Sequence, residues 1–469
     1  ITSVAETRDG GLIAGGYFRG SSIDLGNEVI LRNNGSKSYS DGMIIKYSAE
    51  GECEWAKGIG GAHDERILTV VETRNKEYIV GGFFESSNID LGNGVVLNNK
   101  SINTSYSDGM IIKYSAEGEV EWAQGIGSDA REKITSVAET SDGGIIAGGY
   151  FESSSIDLGN GVSLKCTSGD FLPRDGIIIK YSSSGECEWA KAIGGSNNDY
   201  INSVVETSAG GYVAGGYFKS SSIDLGNGIS LSNKGSEDGM IIKYSAEGEL
   251  EWAKGIGGSR DERINSVAET SDGGIIAGGD FNSSIDLGNG VSLTNKSNCD
   301  GMIIKYSAEG ECEWAKAIGS SSNDYINSIE ETSDGGYVAG GYFGSDGIDL
   351  GNEVSLSNKG SQDGMIIKYS AEGECEWAKA VGGTRSDCIN SVVETSEGDI
   401  IVVGYFQSPT IETDGKILTN KSGNTGMLLK ITVKVGVPET QELTVENTRK
   451  EFKITTDVQE IDGIKGGSI

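Results

Sequence analysis

Four short apolar segments recur along the chain, and each is bounded by Gly, Asp, Asn or Ser. In the first copy they read TSVAET, LIAGGYF, GMIIKYS and ECEWAKGI. Runs of this length that are rich in Val, Ile, Tyr, Phe and Trp are typical of β-strands. Short turns, RDGG or SDGG and AEGE, join them pairwise into two antiparallel hairpins. No stretch keeps a helical period, so the pattern predicts an all-β chain.

The whole pattern occurs seven times, and its copies start at Ile1, Ile67, Ile134, Ile201, Ile264, Ile326 and Ile389. The Phe that closes the second strand follows the leading Ile by 17 residues in every copy. The Asp that opens the third strand precedes the next leading Ile by 26 residues. Variation in length is therefore confined to the segment between that Phe and that Asp, as expected for a surface loop carried on fixed strands.

Seven four-stranded units predict a seven-bladed β-propeller of antiparallel blades over residues 1–436. Radial closure favours this fold because it leaves only short, protected sheet edges. A β-solenoid is the competing repeat fold, but its coils are usually shorter and need no pair of hairpins. The loop segment IDLGNG or IDLGNE of the first six copies could add a small extra hairpin.

The succession INSVVETSDGGYVAGGYF, then IDLGNG, then DGMIIKYSAEGECEWAKAIGG resembles the bacterial seven-bladed β-propeller repeat family. The resemblance covers residues 1 to about 431. It implies the propeller fold and an extracellular or cell-envelope setting, and it implies no chemistry.

The seventh copy lacks the EWAK strand, and the chain starts directly at a first strand. Three outcomes are open: a fourth strand cut away before Ile1, a substitute strand from Glu442 to Asn447, or a three-stranded blade with an open edge. Residues 437–469 carry no propeller motif, and their alternating runs ELTVEN and EFKITTDV predict a β-hairpin or the start of a following module. This tail resembles segments that join repeats in wall-attached surface proteins of Gram-positive bacteria.

Composition excludes several classes of partner. The 469 residues include 38 Lys and Arg against 70 Asp and Glu, for a net charge of -32. Nucleic acids and anionic membrane surfaces need basic residues to displace counterions, so neither is expected as a partner. No apolar run approaches a membrane span. The absence of an initiator Met and of a signal peptide suggests a piece of a longer protein.

Cysteine and tryptophan are expected to have structural roles. Four of the seven Cys occupy one slot of the fourth strand (Cys53, Cys187, Cys312 and Cys375), where two other copies have Val120 and Leu250. Such a slot is small, apolar and buried. With one His and no CxxC spacing, we expect no zinc site and no cofactor. The six Trp lie two residues further along the same strand, which predicts packing between blades rather than sugar stacking.

Acidic residues recur in three sets. One set ends the first strand: Glu6, Glu72, Glu139, Glu206, Glu269, Glu331 and Glu394. A second lies two residues before each later copy: Glu65, Glu132, Asp199, Glu262, Asp324 and Asp387. The third is the Asp of the DG pair. Up-and-down strand order places the second and third sets at one end with the variable loops, and Glu6 and its equivalents at the other. These rings could bind a cation or a basic partner, or each carboxylate could satisfy backbone amides locally.

The variable loops of copies 1 to 3 are longer than the others, and their sequences differ most. A binding site would be sought first at Tyr39, Tyr106, Phe171, Leu172 and Arg174. The alternative is that these loops are tolerated surface insertions.

No nucleophile elbow, phosphate-binding loop or metal-dependent motif occurs, and the copies are nearly interchangeable. We therefore expect a non-catalytic, adhesin-like interaction module of a bacterial surface protein, a monomeric domain that binds a protein or glycan through its variable loops. A glycan-active enzyme and a passive structural spacer are the alternatives.

Overall fold

The computed structural model describes residues 1–101, 103, 105–167, 173–413, 416–420 and 423–432. These residues form 41 β-strands. No helix long and apolar enough to cross a membrane occurs among them. The tail predicted over 437–469, including the substitute strand Glu442–Asn447, lies outside the described residues.

Blade 1 contains β1 (Ser3–Glu6), β2 (Leu12–Arg19), β3 (Ser22–Asp24), β4 (Ile30–Arg32), β5 (Ser40–Tyr47) and β6 (Cys53–Ile59). Blade 2 contains β7 (Glu65–Glu72), β8 (Tyr78–Phe84), β9 (Asn88–Asp90), β10 (Val96–Asn98), β11 (Asp108–Tyr114) and β12 (Val120–Ile126). Blade 3 contains β13 (Glu132–Glu139), β14 (Ile145–Phe151), β15 (Ser155–Gly159), β16 (Val162–Lys165), β17 (Asp175–Tyr181) and β18 (Cys187–Ile193).

Blade 4 contains β19 (Asp199–Glu206), β20 (Tyr212–Phe218), β21 (Ser222–Gly226), β22 (Ile229–Ser232), β23 (Asp238–Tyr244) and β24 (Leu250–Ile256). Blade 5 contains β25 (Glu262–Glu269), β26 (Ile275–Phe281), β27 (Ile285–Gly288), β28 (Val291–Leu293), β29 (Asp300–Tyr306) and β30 (Cys312–Ile318).

Blade 6 contains β31 (Asp324–Glu331), β32 (Tyr337–Phe343), β33 (Gly347–Gly351), β34 (Val354–Ser357), β35 (Asp363–Tyr369) and β36 (Cys375–Val381). Blade 7 contains β37 (Asp387–Glu394), β38 (Ile400–Phe406), β39 (Thr410–Thr413), β40 (Lys416–Thr419) and β41 (Thr425–Ile431).

The predicted seven-bladed propeller is confirmed. In each of the first six blades the first, second, fifth and sixth strands form an antiparallel four-stranded sheet. The two remaining strands form a separate hairpin, here termed the face hairpin, as the IDLGNG segments predicted. Within the described part of the chain the main sheet of the seventh blade has three strands, β37, β38 and β41, beside its face hairpin. The first strands of successive blades contact one another, so they line the central channel.

The apolar core lies between blades rather than within them. One cluster joins Ile13 and Ile44 of blade 1 to Ile67 and Ile112 of blade 2, and corresponding clusters lie at the other junctions. The junction between blades 7 and 1 is built in the same way and contains Val403 next to the blade-1 residues. Packing of apolar side chains therefore closes the ring.

The paired glycines of the second strand allow this close approach. A Cβ on Gly148 would lie 2.7 Å from Val204 and 2.8 Å from Ile201, both in the first strand of the next blade. A Cβ on Gly149 would lie 2.0 Å from the carbonyl oxygen of Lys133. Larger residues would thus force neighbouring strands apart.

The tryptophans pack between blades, as predicted. The Trp122 ring covers the turn that contains Gly185 in the next blade, and its indole N–H donates to the Ser183 carbonyl at 3.2 Å. The cysteines of the shared slot are buried as well, and Cys187 is 2% exposed. The sixth strand of each of the first six blades, which carries these residues, therefore holds that blade to the outer part of its neighbour.

A continuous ring of hydrogen bonds ties the blades together at the end opposite the variable loops. Each Glu that ends a first strand accepts a backbone N–H from the preceding blade, for the pairs Arg8–Glu72, Arg74–Glu139, Ser141–Glu206, Ser208–Glu269, Ser271–Glu331, Ser333–Glu394 and Ser396–Glu6. The last pair joins blade 7 to blade 1. The first acidic set is thus used for assembly of the ring.

We expect Gly185→Ala to destabilise the protein by about 1–3 kcal/mol more than Gly161→Ala. Both glycines have a positive φ, 82° and 78°, so both variants introduce the same backbone strain. A Cβ at Gly185 would lie 2.8 Å from the Trp122 ring, whereas one at Gly161 would meet no atom within 4 Å. Urea unfolding measures the difference in stability. Equal losses of stability in the two variants would show that the Trp122 ring can move to accept the added methyl group.

We expect Glu6→Ala to open the ring at the junction of blades 7 and 1. Glu6 accepts the N–H and Oγ–H of Ser396 at 2.8 and 3.0 Å, and Glu269 binds Ser208 in the same way at 2.6 and 3.0 Å. Both variants should lose about 1–2 kcal/mol of stability. Only Glu6→Ala should speed amide hydrogen exchange selectively in β1 and β37, since within the described residues the chain runs directly between the other neighbouring blades but not between blades 7 and 1. Equal exchange in Glu269→Ala would contradict this.

Candidate functional site

The variable loops and the start of the inner strands meet at one end of the propeller, here termed the variable-loop face. In blade 2, Glu65 pairs with Phe84, and Phe84 pairs with Asp108 on its other side. The loop that leaves Phe84 therefore emerges beside both carboxylates. This register confirms that the second and third acidic sets lie at the same end as the variable loops.

The second acidic set is buried beneath this face. Glu65, Glu132, Asp199, Glu262, Asp324 and Asp387 are each at most 1% exposed. Glu65 accepts the N–H of Gly61 at 2.8 Å and that of Ser86 at 2.9 Å. It thereby joins the loop before the first strand to the start of the variable loop. A binding role for this set stays a prediction, but its geometry is that of groups which satisfy backbone amides.

The third set behaves similarly. Asp108 is fully buried and accepts the N–H of Lys100 in the returning variable loop at 2.9 Å. Its Oδ1 atom has no hydrogen-bond partner. Burial raises the pKa of Asp108 to about 6. Burial also raises the pKa of both Glu65 and Glu132 to about 7, and the nearby third-set carboxylate adds to each increase. In the described residues, no three His, Cys, Asp or Glu side chains are grouped to hold a metal ion.

Two of the residues predicted from loop variation belong to one cluster. The guanidinium of Arg131 lies 4.4 Å from the centre of the Tyr106 ring, and that of Arg174 lies 5.0 Å from the Tyr150 ring. Glu152 is 3.9 Å from Arg131 and 3.4 Å from Arg174, so it links the two.

The other predicted positions are placed differently. Tyr39 contacts the ring of His63 at 5.0 Å, at the junction of blades 1 and 2. Phe171 and Leu172 lie outside the described residues. Tyr106 and Arg174 therefore belong to one cluster, linked through Arg131 and Glu152, whereas Tyr39 makes its contact elsewhere.

Sequence reasoning missed a ring of residues at the mouth of the channel. They follow the buried acid at the start of each inner strand: Arg66, Lys133, Tyr200, Arg263, Tyr325 and Cys388. Each pairs with the penultimate residue of the second strand: Phe83, Tyr150, Tyr217, Asp280, Tyr342 and Tyr405. Tyr17 is the equivalent residue of blade 1, where the second strand continues to Arg19. We term these residues the mouth ring.

Aromatic and cationic side chains of the mouth ring stack across the junctions. Arg66 covers the Tyr17 ring of the preceding blade at 4.5 Å, and the Lys133 ammonium lies 3.9 Å from the Phe83 ring. Tyr200 stacks on Tyr217 at 4.7 Å within blade 4. The sequence did carry an indication of this ring, because its positions change charge and size between copies while their neighbours stay constant.

Blade 5 breaks the aromatic pattern of the mouth ring. Asp280 replaces the usual Tyr or Phe and is 3% exposed. It accepts a hydrogen bond from Asn265 at 3.1 Å and contacts the Cys299 thiol at 3.6 Å. Burial raises the pKa of Asp280 to about 6 despite the opposing charge of Arg263. This is one acidic group in a ring that is otherwise aromatic, cationic or thiol-bearing.

No protein-family model matches the chain. It is 22% identical over 480 residues to an uncharacterised WD repeat-containing protein of Acanthamoeba polyphaga mimivirus, covering 83% of this chain and 33% of that protein. It is 22% identical over 252 residues to the regulatory protein FlaEY of Caulobacter vibrioides, covering 50% of this chain and 24% of that protein. The chain therefore spans a third or less of these relatives.

Similar solved structures also exist, and two of them illustrate the range. The WD40 β-propeller domain of Doa1 matches with a TM-score of 0.41 and 12% identity, covering 83% of this chain and 92% of that one. A Bacteroides caccae protein of unknown function matches with a TM-score of 0.36 and 9% identity, covering 78% and 94%.

We expect the free energy of unfolding to fall as pH rises from about 5 to 7.5. Glu65 and Glu132 have pKa values near 7 in the folded protein and near 4.5 when unfolded. Across this interval the folded state binds more protons, so deprotonation favours unfolding. Each group should contribute on the order of 1–3 kcal/mol to the total decrease over this interval.

Protonation of many carboxylates at low pH also reduces the repulsion within this acidic protein. Substitution of single carboxylates by Gln separates the effect of Glu65 and Glu132 from that general change. Glu65→Gln and Glu132→Gln should each flatten the dependence of Tm on pH. Glu119→Gln, which removes an exposed carboxylate whose pKa is lowered by Lys57, should leave it unchanged. An unaltered slope in both of the first two variants would show that these carboxyls stay ionised.

Proposed function

We propose that this propeller is a non-catalytic binding module that recognises a partner through its variable-loop face. The observation that supports this proposal is the mouth ring, which differs from blade to blade on a scaffold that is otherwise repeated. Tyr and Arg dominate both the ring and the adjacent loop residues, and these residue types provide most of the binding energy at protein interfaces. Binding residues on loops held by a rigid scaffold are common.

A protein partner is the favoured ligand of this module. The rings of Tyr17, Tyr106 and Tyr150 are covered by guanidinium groups, which leaves fewer free aromatic faces for stacking on sugars. The proposal also includes display on a bacterial cell surface, the setting implied by the repeat resemblance. A complete gene with an export signal and a wall anchor would support that location, and a gene without an export signal would contradict it.

A glycan-active enzyme is the less favoured alternative. Glycoside hydrolysis needs two carboxyl groups that reach the substrate. Asp280 of blade 5 and Glu237 in the variable loop of blade 4 are acids near the channel mouth, and they are 3% and 4% exposed. Glu237 is also held in ion pairs with Lys219 and Arg263. These contacts favour a structural role for both groups.

The test shortens the variable loops of copies 1 to 3, between Phe18 and Asp41, Phe84 and Asp108, and Phe151 and Asp175, to the length of the copy-5 loop. Wild type and variant are applied to an array of proteins and glycans. We expect binding by wild type and its loss on trimming. The control replaces Glu50 and Glu117 with Ser on turns of the opposite face, following the SSSG turn of copy 3, and should bind as wild type does.

The alternatives predict other results. Binding that survives trimming would exclude the variable loops as the site. Turnover of a glycan would establish the enzyme, and the absence of any ligand would favour the passive spacer.

A further inference from the structure

A group of four cationic side chains lies at the channel mouth between blades 2 and 4. Arg66 and Lys133 belong to the mouth ring, and Arg131 and Arg174 stand beside them on the adjoining loops. We term these four residues the cationic sector. It is unexpected in a chain whose acidic residues outnumber the basic ones by 70 to 38.

The positive charge of this sector is incompletely neutralised. Within the described part of the chain, Arg66 and Lys133 form no ion pair, and the Nε atom of Arg66 is buried without a hydrogen-bond partner. Arg131 and Arg174 share a single carboxylate, that of Glu152. Burial and the neighbouring charge of Arg66 lower the pKa of Lys133 to about 8, and Glu85 opposes this only in part.

Several basic residues elsewhere on the face are paired. Arg263 and Lys219 both bind Glu237, and Arg19 lies 3.9 Å from Asp64. Excess positive charge in a partly buried position is unfavourable until an anion compensates it. The cationic sector thus has four cationic groups beside the carboxylates of Asp64, Glu85 and Glu152, and the buried Nε atom of Arg66 has no hydrogen-bond partner.

The side chains indicate which anion fits. Guanidinium groups present a planar array of donors that matches a carboxylate. In this sector they already cover the aromatic rings, so a sugar would find few free ring faces. A protein segment offers several carboxylates in succession and needs no ring stacking.

We propose that the cationic sector binds an acidic segment of the protein partner, with consecutive Asp or Glu carboxylates on Arg66, Lys133, Arg131 and Arg174. This inference rests on the proposed function and specifies the chemistry of its ligand. An acidic ligand would also explain why a protein with a net negative charge has a cationic group at the mouth of its channel.

The experiment measures fluorescence anisotropy of a labelled hexaglutamate peptide with the full chain, and hexaglutamine is the neutral control peptide. We expect hexaglutamate to bind, and we expect its affinity to fall as salt is added. The double variant Arg66→Gln with Lys133→Gln should bind it at least about tenfold more weakly than wild type does. Hexaglutamine should not bind. Arg131→Gln, which replaces a side chain that is 37% exposed, should also weaken binding, and it provides the test if the double variant does not fold.

The matched control is Lys57→Gln with Lys316→Gln on the outer strands, which removes the same charge and has a natural precedent in Gln124 of copy 2. This control should bind hexaglutamate within about twofold of wild type. Equal weakening by both pairs would show non-specific attraction and overturn the site. Failure of hexaglutamate to bind would overturn it as well.

Two further outcomes separate this inference from the proposed function. If polygalacturonate binds through the sector and hexaglutamate does not, the ligand is an acidic glycan and the assignment to a peptide is wrong. The array could also identify an uncharged protein whose binding requires the loops but not Arg66 or Lys133. That result would support the variable-loop face as the binding site and exclude an acidic ligand.

Discussion

Burial of apolar side chains between neighbouring blades is the constraint from which the rest of the structure follows. A four-stranded sheet has two faces and cannot cover either by itself. Each core cluster here takes residues from two blades, including the one that joins Val403 to blade 1. The ring must therefore close for any blade to be stable, and the glycine pairs of the second strands allow the approach that closure requires.

Carboxylates fix the two ends of this assembly in different ways. At the end opposite the loops, the glutamates of the first strand accept N–H groups from the preceding blade and complete a ring at Ser396 and Glu6. At the variable-loop face, Glu65 and its equivalents are buried under the loops and bind their amides. The scaffold beneath the loops is thus constant, and the residues between these fixed points can vary in charge and size.

Much of the fold was predictable because its determinants are local. Strand period, turn residues and the fixed spacings gave the blades, and the slots of Cys187 and Trp122 were correctly assigned to packing. The face hairpins also followed from the sequence, since Asn160 and Gly161 both adopt the positive φ that an Asn-Gly turn requires.

The candidate site was less predictable. Loop variation pointed to Tyr106 and Arg174, which the structure places in one cluster through Glu152. The mouth ring was missed because Arg66 and Lys133 occupy strand positions that a repeat pattern assigns to the scaffold. Their partners, Tyr17 and Phe83, belong to the preceding blade and are about fifty residues away in the chain.

The sequence by itself determined the number of blades, the strand order within each one and the position of the variable loops, because these depend on local period and on spacing. Only the tertiary structure decided which side chains meet across a junction and whether an acidic residue faces solvent or a buried amide. It also decided which charged groups meet at the channel mouth. Net composition is a sum over the whole chain, whereas the local potential depends on the few groups that radial packing brings together.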